Sequence, residues 1–160
     1  MKIVKIVCFI ILFPTSAWAQ NEPLDIQADM MEGYQNEKLI IFKGNVRAKQ
    51  KDIELYADKV KVFLIENKNT SQQQDLREAV ERIEAEGHVI ITQGERKASG
   101  KRAIFYQVPQ RRLVLIGNAR IEEKENLILG EEATFFLKEN KIVIKGAPAQ
   151  ATIFPKNFKK

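Results

Sequence analysis

Four stretches of this chain, read one above another, decide its fold: Ile40-Ile41-Phe42-Lys43-Gly44-Asn45-Val46, Ile83-Glu84-Ala85-Glu86-Gly87-His88-Val89, Leu113-Val114-Leu115-Ile116-Gly117-Asn118-Ala119 and Ile142-Val143-Ile144-Lys145-Gly146-Ala147-Pro148. In each, a largely apolar run meets a glycine, and in the first three a polar residue and a small apolar one follow. The likeness continues downstream. Thirteen residues beyond the first three glycines stand Ala57, Gly100 and Gly130, sixteen beyond stand Val60, Ala103 and Ala133, and nineteen beyond stand Phe63, Tyr106 and Phe136. Ala28, Met31 and Tyr34 keep the same mutual offsets ahead of the first glycine. A period of about 30 residues, stretched once to 43 between Gly44 and Gly87, marks a repeated architecture.

Within each unit the period is two. Ile40, Phe42, Gly44, Val46 and Ala48 share one face, as do Ile83, Ala85, Gly87, Val89 and Ile91, while Lys43, Asn45, Arg47, Glu84, Glu86 and His88 take the other. Such alternation belongs to antiparallel strands with one buried face and one wet one. The phase runs on through each glycine, which argues for a bend where the backbone is free to turn. Further along it slips by one residue, between Ala57 and Val60, Gly100 and Ala103, and Gly130 and Ala133. One extra residue in a strand is a β-bulge, and bulges bend strands at corners. The expected fold is all-β: two facing antiparallel sheets whose strands fold over at the glycine and bulge positions, with the apolar faces converging on a groove. The segment 66–80 interrupts the repeat. Ser71-Gln72-Gln73-Gln74 has the form of a capping box, and Leu76, Ala79, Val80 and Ile83 have helical spacing, but a polar loop leading into the next strand is the favoured reading.

The N-terminus sets the compartment. Lys2 and Lys5 precede an apolar run from Ile6 to Phe13, Pro14 breaks it, and Ala17-Trp18-Ala19 supplies small residues ahead of Gln20. This is the layout of a cleaved secretory signal over 1–19, leaving 20–160 as one domain. The run is shorter than the roughly 20 apolar residues that span a bilayer. Removing it removes Cys8, the only cysteine, so disulfides and thiolate chemistry are not expected. With Lys2 and Lys5 gone, the formal charge of +5 falls to about +3, a balance compatible with anionic lipids or sugars and poor for nucleic acid. His88 is the only histidine and fills the slot held by Asn45 and Asn118, so it reads as a solvated strand residue. No nucleophile motif, zinc or other metal-ligand spacing, calcium loop, phosphate loop or dinucleotide fingerprint is present, and neither an enzyme nor a cofactor is expected.

At Phe42-Lys43-Gly44-Asn45-Val46, Ala57-Asp58-Lys59-Val60 and Leu115-Ile116-Gly117-Asn118-Ala119 the sequence resembles the LptA/OstA family, the periplasmic lipopolysaccharide-transport bridge proteins of diderm bacteria. Pro23-Leu24-Asp25-Ile26-Gln27-Ala28-Asp29 and Thr152-Ile153-Phe154-Pro155 match in position, so the resemblance spans the mature chain. It implies a V-shaped, open two-sheet antiparallel β-jellyroll in the periplasm that shelters the lipid A acyl chains of lipopolysaccharide. It also implies head-to-tail stacking, and docking between an inner-membrane-anchored component and the outer-membrane translocon. The candidate groove residues are Leu24, Ile26, Phe42, Leu55, Val62, Ile91, Phe105, Tyr106, Leu115 and Phe135. The candidate joining edges are Leu24, Asp25, Ile26, Gln27 and Ala28 at one end, and Ala149, Gln150, Ala151, Thr152, Ile153 and Phe154 at the other. Two alternatives stay open: the membrane-anchored sister component with the same fold, which the cleavage site disfavours, and an exported polysaccharide-binding β-protein, for which clustered aromatics are lacking.

Overall fold

The glycine of each repeat is where the chain changes direction. In a computed structural model describing residues 23–65 and 80–155, Gly44, Gly87 and Gly117 have φ of 79°, 80° and 81°, and the polar residues after them, Asn45, His88 and Asn118, have φ of 46°, 48° and 52°. Glycine enters this left-handed region freely, and asparagine and histidine tolerate it better than most residues. Gly146 does not share the conformation. The expected signal segment 1–19 with residues 20–22, the insertion from 66 to 79 and the tail from Lys156 lie outside the described residues.

Every regular element among the described residues is a strand: β1 (Asp25–Gln27), β2 (Met30–Tyr34), β3 (Leu39–Gln50), β4 (Ile53–Leu64), β5 (Val80–Gln93), β6 (Arg96–Tyr106), β7 (Arg112–Glu123), β8 (Asn126–Phe136), β9 (Lys141–Lys145) and β10 (Gln150–Thr152). They pair antiparallel in the order β1-β3-β4-β5-β6-β7-β8-β10, with β2 also on β3 and β9 also on β8. Val80 and Ile83, two of the residues with helical spacing, therefore belong to strand β5.

The long strands are bent in the middle, and the bend is built jointly. Gly44-Asn45 of β3 oppose Asp58 alone, Gly87-His88 of β5 oppose Lys101 alone, and Gly117-Asn118 of β7 oppose Glu131 alone. The extra residue thus sits in the glycine strand, opposite the place where the sequence alternation slips. Aspartates brace two of the bends. Asn45 Nδ2 donates to Asp29 Oδ2 at 2.9 Å, Asp29 N donates to the Gly44 carbonyl at 2.9 Å, and His88 Nδ1 lies 2.8 Å from Asp58 Oδ2.

The bends divide one hydrogen-bonded sheet into two leaves. Residues 46–57, 89–100 and 119–130, with β1 and β10, make the first leaf; 39–43, 59–64, 80–86, 102–116 and 132–136, with β2 and β9, make the second. Cross-strand pairing lines up the apolar phase. Ile26, Ala48, Leu55, Ile91, Ala98 and Ile121 form an inner row of the first leaf. Phe42, Val60, Ala85, Ala103, Leu115 and Ala133 form one of the second. Small alanines are interspersed among the large residues of both rows, letting the leaves close together near the bend, where Val46, Val60, Val89 and Leu115 are essentially wholly buried.

The outer face of the second leaf is less wet than its alternation implies. Phe63, Arg82, Tyr106, Arg112, Phe136 and Lys141 are successive cross-strand neighbours there. The Arg82 guanidinium lies 3.6 Å from the Phe63 ring centroid and that of Arg112 4.4 Å from the Tyr106 centroid. Cation–π contact and the long arginine stems shield these rings from water.

Candidate functional site

An apolar cavity of about 90 Å³ lies between the leaves. Leu24 and Ile26 of the first edge, Ala48 and Ile53, and Leu55 and Ile91 contribute from the first leaf. Val60, Ile83, Phe105, Leu113 and Leu137 contribute from the second, and Gln50 is the sole polar residue in the lining. The β1 end of one leaf therefore faces the β7–β8 end of the other. The lining residues within strands arrive there by alternation continued through the bulges, and Leu24 and Leu137 extend β1 and β8 by one residue each, so the bends aim both faces at one space.

Of the ten groove residues expected from sequence, Leu24, Ile26, Leu55, Ile91 and Phe105 line the cavity. Val62, Leu115 and Phe135 point inward but are packed into the core beside it, and Phe42 packs against that core. Tyr106 is on the opposite face. It follows Phe105 by one residue and stacks under Arg112, so it does not belong to the groove. Sequence reasoning missed Ala48, Gln50, Ile53, Val60, Ile83, Leu113 and Leu137. Most of these keep the same alternation as the residues chosen, which was the available signal.

At the hairpin end of the first leaf the inner face turns polar. Gln93, Arg96 and Glu123 are adjacent across β5, β6 and β7, and Arg96 Nε donates to Glu123 Oε1 at 2.8 Å. Gln93 Nε2 donates to Asp52 Oδ2 at 3.2 Å, which fixes the orientation of its amide. This row borders the apolar surface without entering the cavity lining. Among the described residues no group of three His, Cys, Asp or Glu is gathered as a metal site requires.

Glu84 shows how the outer face is held. It is only 8% exposed, although its register assigns it to the outer side. Arg82 Nε donates to its Oε1 at 2.9 Å and Arg102 Nη2 to its Oε2 at 2.7 Å. Burial acts to raise the Glu84 carboxyl, but the hydrogen bonds from Arg82 and Arg102 outweigh it and hold the group below the usual carboxylate range. A depressed native value means stability that is present above the ordinary carboxylate pKa and lost as pH falls through the native one. Glu84→Gln should therefore lower stability by about 1 kcal/mol at neutral pH, since the arginines are partly solvated and the amide still accepts one bond. The gap from wild type should close below the ordinary carboxylate range. Urea titrations at pH 7 and at a pH below the ordinary carboxylate range check this, and a gap that widens in acid would contradict it.

The sheet has four edge segments. β1 and β10 flank the first leaf, whereas β2 and β9 flank the second. Of the edges expected from sequence, Asp25–Gln27 and Gln150–Thr152 are the paired strands. Leu24, Ala28, Ala149, Ile153 and Phe154 flank them without regular pairing, although Phe154 N donates to Asn126 Oδ1 at 2.9 Å.

Residues 25–141 match the sequence profile of the family described as LptA/(LptD N-terminal domain) LPS transport protein. The chain belongs to this family. The matched span covers β1 to β8 and the bends, leaving all of β9 but its first residue, β10 and the C-terminal tail beyond it. Among solved structures the fold is similar to the crystal structure of LptH, described as the LptA-homologous periplasmic component of the lipopolysaccharide transport device of Pseudomonas aeruginosa. That similarity has a TM-score of 0.70 at 20% identity, covering 88% of this chain and 99% of the LptH chain. At this identity it establishes the shared open β-jellyroll. No curated protein gives a significant match.

Proposed function

We propose that this chain is a periplasmic bridge that shelters the lipid A acyl chains of lipopolysaccharide between its leaves. In that role it hands the lipid from an inner-membrane-anchored component toward the outer-membrane translocon. The observation that carries this reading is the cavity lining, drawn from both leaves and apolar except for Gln50. Each acyl methylene removed from water is worth about 0.8 kcal/mol, so a lipid of several chains does not cross an aqueous space unaided. Aliphatic and aromatic walls replace that water without polar contacts that would hold the cargo fast. Small-molecule sites typically have about 300–1,000 Å³, so the 90 Å³ cavity holds such a lipid only when the leaves part. The open edges of β1 and β10 support head-to-tail joining, which would set one groove against the next. Net movement draws on an energy source in the partners.

A photo-crosslinking residue at Leu55, Ile91 or Phe105 in exported protein should capture lipopolysaccharide. One at Lys97 or Arg120, which are exposed on the outer face, should not. Equal capture at both sets would overturn the groove.

A further inference from the structure

Arg111 stands at the far margin of the second leaf, between β6 and β7, and keeps the inward phase of Leu113. Its carbonyl accepts from Leu137 N at 3.2 Å, so the two residues are direct cross-strand neighbours. Leu137 lines the apolar cavity and also a more open cleft of about 490 Å³ that Arg111 shares with Pro109, Gln110, Lys138 and Glu139. The apolar space and the cleft thus meet at one residue.

Its Nε is buried without a hydrogen-bond partner, and among the described residues no carboxylate offsets the burial that lowers its pKa. Glu139, the acid in the cleft, is engaged by Gln110, whose Nε2 donates to its Oε1 at 2.6 Å. Lys138 adds a second cation to the same cleft. Other arginines of the sheet have partners: Arg47, Arg82, Arg96, Arg102 and Arg120 each pair with a glutamate, and Arg112 stacks on Tyr106. A partly buried guanidinium left unpaired beside an apolar cavity matches an oxyanion, which guanidinium binds through directed, charge-assisted hydrogen bonds.

We propose that Arg111, assisted by Lys138, forms a headgroup subsite for a phosphate-class anion on an amphiphile whose chain enters the apolar cavity past Leu137. The proposal rests on the groove reading above, and it adds polarity to the groove: the anionic end of the lipid lies at the β6–β7 and β8–β9 connections. Displacement of a fluorescent apolar probe from the purified mature protein tests it, using dodecyl phosphate, dodecanol and inorganic phosphate as competitors, with inorganic phosphate binding also followed by calorimetry. Wild type should prefer dodecyl phosphate over dodecanol by about tenfold, the worth of one charged hydrogen-bonding contact. Arg111→Gln should collapse that ratio towards one, Arg111→Lys should keep part of it, and raised salt should shrink it. Equal affinity for the two dodecyl compounds in wild type, or a preference that survives Arg111→Gln, overturns the subsite and leaves the groove standing. Inorganic phosphate binding as tightly as dodecyl phosphate means a free-anion site and also overturns it. If neither dodecyl compound displaces the probe, the groove reading falls and the subsite falls with it.

Discussion

Gly87→Val should remove 3 kcal/mol or more of stability, of the roughly 5–15 kcal/mol that a domain possesses. Two effects add. Gly87 has φ +80°, where a β-branched residue is strained by about 1–3 kcal/mol. A Cβ there would also overlap the carboxylate and Cβ of Asp58, the residue that holds His88 across the bend. Relief by moving Asp58 gives up that contact. The two parts can be separated. Gly94 has φ +57° but nothing within 4 Å of its Cβ position, so Gly94→Ala should show backbone strain alone, about 1 kcal/mol. Gly33 has neither a close neighbour nor the strained φ, so Gly33→Ala should change stability little. Adding Asp58→Ala to Gly87→Ala should recover part of the loss. Urea midpoints for the series give the result. If Gly87→Val unfolds at the same midpoint as Gly33→Ala, the bend is an ordinary strand position.

Much of this was legible because the repeat and the alternation report the same geometry. Glycine followed by Asn45, His88 or Asn118 spelled out a left-handed pair, since these polar residues adopt that conformation at modest cost. Reading His88 only as a solvated strand residue missed half of this: it is exposed, and it also occupies the second turning position of the bend. Nothing local ties Asp29 and Asp58 to the bends, because their partners, Asn45 and His88, are 16 and 30 residues away in sequence. No local pattern could join them without the strand pairing.

Tyr106 was assigned to the wrong face for a definite reason. It belongs to the repeat position of Phe63 and Phe136, where an aromatic recurs nineteen residues beyond the glycine, and large aromatics suggest a core. Alternation from Phe105 gives the outer face instead. The cations that make this face tolerable for aromatics, Arg82, Arg112 and Lys141, come from neighbouring strands. Glu84 was misread in the opposite sense, as wet, because burial there comes from Arg82 and Arg102 lying over it. Arg111 carried no signal, since only the pairing of all its neighbours reveals that it lacks a carboxylate.

Proline substitution in β10 should abolish assembly while leaving the monomer folded. The residues of this strand are all exposed, and they pair on one side only, Gln150 with Leu129, Ala151 with Ile128 and Thr152 with Leu127. Successive N–H groups along a strand point to opposite sides, so one of Ala151 and Thr152 directs its donor away from β8. Removing that donor, and adding a ring beside it, blocks a further strand without breaking the pairing within the chain. Joining β10 of one copy to the β1 side of the next is heterologous and does not close, so wild type should form open, concentration-dependent oligomers. Light scattering across a concentration series should show growth for wild type. It should show a persistent monomer for one of Ala151→Pro and Thr152→Pro, with thermal unfolding of that variant close to wild type, because an exposed three-residue strand carries little of the core. The other variant disturbs the inward bond to β8 and serves as the comparison for indirect damage. Wild type that stays monomeric at high concentration, or assembly that survives both prolines, would mean that joining does not run through this edge.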